Sequence, residues 1–209
     1  MSDQTLHIAM YPWFAMGHLT AFLHISSKLA ERGHRISFFL PLKTRFKLQH
    51  YNLHPHLITF IPLNVPHVDG LPPGTETTAD VPSPFYSLVA TAMDLTRPQI
   101  EQSLRQLNPN FVFFDFSHWL PGLLRQLGSN IKSVFYCIVN PASLCHLLSL
   151  SQPRNLSLSF ISSSIKLKTH EARTYDAIAN KEYGSGLTFV KRMLTSFSDC
   201  DAIAFKTCR

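Results

Sequence analysis

Apolar and polar positions along the chain change period several times, and each change marks an element. Leu6 to Tyr11 (LHIAMY) is a short apolar run closed by Pro12, as a buried strand would be. Leu19, Phe22, Leu23, Ile25, Ser26 and Leu29 then fall on one face at helical spacing, with Lys28, Glu31 and Arg32 facing outward and Gly33 placed as a C-terminal stop. Ile36 to Leu40 (ISFFL) and Leu57 to Leu63 (LITFIPL) are predicted strands, separated by a short basic helix or turn near residues 42–50. Residues 64–84 carry Pro66, Gly70, Pro72, Pro73, Gly74, Pro82 and Pro84, which predicts a long loop without regular structure. Helical periodicity returns over 85–107, where Pro98 either kinks one helix or opens a second. Phe111 to Phe116 and Ser133 to Val139 have the unbroken apolar character of strands buried on both faces. Helices are expected over Trp119–Leu127, Pro141–Leu150, Glu171–Ala179 and Leu187–Phe197, an exposed connection over 151–164, and a last strand from Asp201 to Phe205. Alternating strands and helices predict an α/β fold with a mostly parallel sheet flanked by helices.

Composition narrows the function classes. Of 209 residues 45% are hydrophobic and 15% charged, enough apolar surface for one substantial core and too much for general disorder. No apolar stretch is long enough to cross a bilayer, and the N-terminus does not read as a secretory signal, so a cytoplasmic protein is expected. Net charge is +6, but the basic residues are scattered, with Lys43, Arg45 and Lys47 the densest group, which argues against a nucleic-acid partner. Cys137, Cys145, Cys200 and Cys208 lack the spacing of a metal knuckle or a disulfide framework and read as free thiols. His54, His56 and the Asp115-x-x-His118 spacing find no third or fourth metal ligand nearby, so no metal is expected. Ala15-Met16-Gly17-His18 is not a dinucleotide fingerprint, and no phosphate loop is present.

Two ionisable residues stand where open parallel sheets bind ligands, at the carboxyl ends of strands. His18 follows the first strand at the start of a helix, and Asp115 ends the apolar FVFFDF run, where a carboxylate needs a partner. If those strands are neighbours, Asp115 can accept a hydrogen bond from one ring nitrogen of His18 and leave the other free to take a proton. A capping histidine and a helix-capping aspartate would occupy the same positions, so placement alone leaves both roles open.

The strings Tyr11-Pro12-Trp13-Phe14-Ala15-Met16-Gly17-His18-Leu19, Phe111-Val112-Phe113-Phe114-Asp115-Phe116-Ser117-His118-Trp119-Leu120-Pro121 and Cys200 to Arg209 together resemble the N-terminal half of a plant UDP-dependent glycosyltransferase. The resemblance runs over essentially the whole chain and is nearest the branch acting on flavonoid and anthocyanin glycosides. It implies a Rossmann-like, acceptor-binding domain of the two-domain GT-B fold, residues 1–209, incomplete at its C-terminal end. It also implies an inverting transfer with His18 as general base and Asp115 as its orienting partner. The acceptor would lie against Phe14, Met16, Gly17, Phe85, Tyr86, Phe116, Trp119 and Asn140, although core packing accounts equally well for Phe85, Phe116 and Trp119. The loop 64–84 either closes over the acceptor or lies on the surface; His24 reads as structural and His118 as a helix-start residue beside the site. No cofactor is implied. The donor would be a UDP-sugar held by a C-terminal domain that the chain lacks, so a monomeric chain inactive by itself is expected. A terpenoid or other lipophilic acceptor, and a non-catalytic binding protein, are the alternatives.

Overall fold

The computed structural model describes residues 5–128, 130–139, 141 and 168–206. The helix expected over Pro141–Leu150, the connection 151–164, Asn140, Cys145 and Cys208 therefore lie outside the described residues, Pro141 apart.

Six strands form one all-parallel sheet in the order β3-β2-β1-β4-β5-β6. They are β1 (His7–Tyr11), β2 (Arg35–Pro41), β3 (Ile58–Leu63), β4 (Phe111–Phe114), β5 (Lys132–Cys137) and β6 (Ala202–Phe205). Apolar residues on alternate sides of β1 explain its central place: Ile8 and Met10 join the core on one sheet face, Ala9 and Tyr11 the core on the other. On the first face lie α1 (Met16–Ala30) and α2 (Thr44–Leu48), the latter continued by a 3-10 turn over Gln49–Tyr51. The opposite core is covered by α3 (Tyr86–Asp94), α4 (Arg97–Leu107) and α5 (Leu120–Gln126). Two further helices, α6 (Thr169–Asn180) and α7 (Phe189–Asp199), precede β6, and Met193 of α7 joins this second core.

Gly33 closes α1 as the periodicity predicts. It sits at φ +84°, its N–H reaches Ala30 O at 2.8 Å, and the His34 N–H reaches Leu29 O at 3.2 Å. That double bond is a Schellman ending, which needs a residue content with positive φ. Pro98 opens a second helix rather than kinking one: α3 ends at Asp94 and α4 begins at Arg97, with the proline in its first turn.

Three expectations are corrected in detail. The FVFFDF strand ends at Phe114, because beyond Tyr11↔Phe114 the neighbouring strand runs into Pro12, which has no N–H to lend the ladder. The SVFYCIV strand ends at Cys137 rather than Val139. The loop 64–84 holds local structure, with 3-10 turns at Thr78–Asp80 and, at its end, Ser83–Phe85. It is also fastened down: the buried Glu76 carboxylate accepts the N–H groups of Lys43 (2.9 Å) and Thr44 (3.2 Å), and the Thr78 N–H donates to Phe14 O at 2.9 Å.

Candidate active site

Strand order changes direction about β1, which lies between β2 and β4; the crevice at the carboxyl ends of β1 and β4 is the switch point of the sheet. The chain leaves β1 through Pro12–Ala15 into α1, and leaves β4 through Asp115–Trp119 into α5. Both connections therefore meet at one end of the sheet.

There the His18 ring, in the first turn of α1, lies with Nδ1 2.5 Å from Asp115 Oδ2. Asp115 is 4% exposed and the His18 side chain 30%. The other carboxylate oxygen, Oδ1, accepts the Trp13 backbone N–H at 2.7 Å. That N–H is the donor left over where β1 stops pairing with β4, so the end of the ladder itself holds the carboxylate in place. With both oxygens engaged, Asp115 cannot turn without losing a bond, and an Nδ1–H tautomer of His18 leaves the Nε2 lone pair outward. Among the described residues Nε2 has no hydrogen-bond partner.

Phe116, the residue after Asp115, belongs to an aromatic wall. Trp13 packs on Phe116 at 4.3 Å between centroids, and Tyr183 meets Phe116 at 5.5 Å and Trp13 at 6.3 Å. Phe189 closes the group, 5.3 Å from Tyr183 and 6.1 Å from Phe116. Burial pushes the Tyr183 phenol up to about 12, helped by the nearby Tyr86 phenol, so Tyr183 presents a neutral hydroxyl.

Of the acceptor-contact candidates, Phe85 and Tyr86 are half-buried beside this core, just where the Pro-rich loop enters α3. Gly17 is exposed, with open space where a side chain would stand. Met16 is half-buried but packs into the core on the α1 face of the sheet. Phe14 is fully buried, its ring edge-on to Tyr11 at 6.1 Å, in the same core as Trp13. Trp119 serves packing and polar satisfaction, tilted on Tyr11 at 5.9 Å with its indole N–H donated to Asp94 at 2.9 Å. Phe116 is buried within the wall, and Asn140 lies outside the described residues. The His54 and His56 rings stand 6.3 Å apart, and His118 Nδ1 lies 3.0 Å from Arg192 NH1. Among the described residues no three metal-ligating side chains gather.

Sequence reasoning missed Trp13, Tyr183, Phe189 and the buried Arg192–Asp94 pair. Arg192 carried a usable signal. It falls at helical spacing between Phe189 and Ser196, on the face that also buries Val190 and Met193, and a cation on a buried face demands a counter-ion. Tyr183 carried none, since it lies in a turn whose partner is far away in sequence.

No protein-family model matches the chain. Among curated proteins it is 52% identical to a cyanidin 3-O-galactoside 2''-O-xylosyltransferase of Actinidia chinensis var. chinensis, over 100% of this chain and 48% of that one. It is 47% identical to an anthocyanidin 3-O-glucoside 2''-O-glucosyltransferase of Ipomoea nil, over 98% and 47%. Among solved structures it is similar to Arabidopsis thaliana UGT89C1 complexed with UDP, at TM-score 0.69 and 16% identity, covering 98% of this chain and 43% of that one. The same enzyme complexed with quercetin aligns at TM-score 0.63 and 17% identity over 83% and 42%. The expected fold is thus the one found, the parallel layer that plant GT-B glycosyltransferases share. The chain spans about half the length of the curated relatives it matches.

Proposed function

We propose, from the premise that this chain is kin along its whole length to plant UDP-glycosyltransferases, that it is the acceptor-binding part of an enzyme moving a sugar from a UDP-sugar to a hydroxyl of an anthocyanin or related flavonoid glycoside. The observation that carries the reading is the His18–Asp115 contact at 2.5 Å, with the Trp13 N–H holding the second carboxylate oxygen and Nε2 left open.

In this reading the acceptor hydroxyl donates to Nε2 of His18. As its oxygen forms a bond to the anomeric carbon, its proton passes to Nε2, and the bond from that carbon to the UDP oxygen breaks on the opposite face, inverting the configuration. Asp115 keeps Nδ1–H pointed at itself and offsets the imidazolium charge that develops. A base so placed contributes about 10²–10⁴ in rate, and the remainder comes from holding donor and acceptor in line. The partly buried rings of Phe85, Tyr86 and Tyr183 offer apolar surface suited to a polyphenol, with the Tyr183 hydroxyl as a polar anchor, and the buried Trp13 and Phe116 back them. The donor is assigned to the part of the relatives that has no counterpart in this chain.

Titration calorimetry of the 209-residue chain with cyanidin 3-O-galactoside tests the acceptor assignment. Saturable binding that His18→Ala weakens little and Tyr183→Ala weakens strongly is expected; a chain that gives no binding heat with the glycoside at millimolar concentration contradicts it.

A further inference from the structure

Arg192 is fully buried, yet it lies on α7, remote in sequence from every other part of the site. Its guanidinium grips Asp94 of α3 in a two-pronged pair, NH1 to Oδ1 at 2.9 Å and NH2 to Oδ2 at 2.7 Å. NH2 also donates to Gly184 O at 3.0 Å, and NH1 stands 3.0 Å from His118 Nδ1. The guanidinium carbon lies 4.8 Å from the centre of the Phe116 ring. Nε is buried without a hydrogen-bond partner, and the charge lies within cation–π range of the Phe116 ring.

Asp94 is equally committed. Besides Arg192 it accepts the Trp119 indole N–H at 2.9 Å and the Ser185 hydroxyl at 2.6 Å. The turn carrying Tyr183 is thereby tied to α3 from both ends of the ion pair: Arg192 takes the Gly184 carbonyl, and Asp94 takes the Ser185 hydroxyl. The fit is close. Gly184, at φ +92°, passes so near Ala90 and Thr91 that an added Cβ would sit 2.6 Å from the Ala90 Cβ, and the Ser185 N–H bonds Thr91 Oγ1 at 3.1 Å.

We infer that Arg192 is a positioning residue for the acceptor site: paired with Asp94, it locks the 183–187 turn onto α3 and braces Phe116 from behind, which fixes Phe116 and Tyr183 as a rigid wall beside His18 and Asp115. This rests on the acceptor reading above. A wall ordered before the ligand arrives spares the cost of ordering its side chains on binding. Arg192 itself does not touch the acceptor; it acts through Phe116 and through the turn.

The test separates positioning from folding. Arg192→Met alone leaves Asp94 buried and unpaired and is expected to unfold part of the population, so the informative variant is Asp94→Asn with Arg192→Met, which removes both charges at similar volume. Two readouts are taken on the 209-residue chain. Hydrogen exchange without ligand is expected to accelerate at least tenfold at the Ser185 amide, with β1 and β4 amides unchanged. Affinity for cyanidin 3-O-galactoside is expected to fall about tenfold in the double variant and likewise in Tyr183→Ala. Unchanged Ser185 exchange in the folded double variant, or wild-type affinity in that variant or in Tyr183→Ala, overturns the inference. If the wild-type chain binds no glycoside, the acceptor reading falls instead, and the exchange arm still decides whether Arg192 fixes the wall.

Discussion

Replacing Asp115 by alanine and, separately, by asparagine divides what the carboxylate does for the fold from what it does for the imidazole. Alanine leaves the Trp13 N–H without its 2.7 Å acceptor in a residue only 4% exposed. An orphaned buried donor costs about 1–3 kcal/mol. The His18 ring also loses its 2.5 Å partner, but at 30% exposure water can replace much of that bond. The expected loss for Asp115→Ala is therefore about 2–4 kcal/mol, a large share of a typical domain's roughly 5–15 kcal/mol. Asparagine is nearly isosteric. Its amide oxygen still takes the Trp13 N–H, so stability is expected to fall by only about 1 kcal/mol. Its NH₂ then faces His18 Nδ1, which must become an acceptor, and the ring proton moves to Nε2. Urea melts of the two variants measure the stabilities, and nitrogen NMR of the His18 ring reads the tautomer. An asparagine variant as unstable as the alanine one, or a His18 that keeps its Nδ1–H beside Asn, would contradict these roles for the carboxylate.

Other expectations follow from contacts away from the pair. Glu76→Ala removes the carboxylate that takes the buried Thr44 N–H, so a loss of about 1–3 kcal/mol by urea melts is expected, with faster hydrogen exchange confined to 65–81 and α2; uniform exchange would show that Glu76 is no local fastener. Burial first and the Arg192 charge second hold His118 below its ordinary 6.5, so the folded protein binds fewer protons there than the unfolded chain. Stability is then expected to decline as pH falls below 6.5 toward the lowered folded value, and His118→Gln should flatten that part of the melt-versus-pH curve; an unchanged slope contradicts it. For Asp94, burial alone would raise the carboxyl, but the Arg192 bonds and charge, with Ser185 and Trp119, bring it below 3.8. Its contribution is fully present above 3.8 and is lost as pH falls below that, a second acid step that Asp94→Asn should remove; its persistence in that variant would contradict the assignment.

The sheet was legible because its strands are short apolar runs ended by Pro12, Pro41 or a polar turn, signals that depend only on neighbours in sequence. The juxtaposition of His18 and Asp115 was legible only conditionally, since it needs β1 beside β4, and strand order is set by packing rather than by local pattern. Phe14 and Trp13 show the limit most clearly. They are adjacent aromatic residues in an irregular loop, and both are buried in the same core, an outcome that no sequence period signals. Arg192 and Asp94 lie 98 residues apart, and what joins them is the docking of α7 and its preceding turn on α3. A charged residue on the buried face of α7 signalled the need for a partner without naming it.

In the proposed reaction His18 takes the proton of the acceptor hydroxyl. Joining this chain to the remaining half of the Actinidia relative, and timing sugar transfer from UDP-xylose to cyanidin 3-O-galactoside, tests it with and without His18→Ala. Transfer by the fusion and a kcat at least about a hundredfold lower in the alanine variant, with KM for the glycoside little changed, is the predicted result. Near-equal kcat values in the two fusions would contradict it.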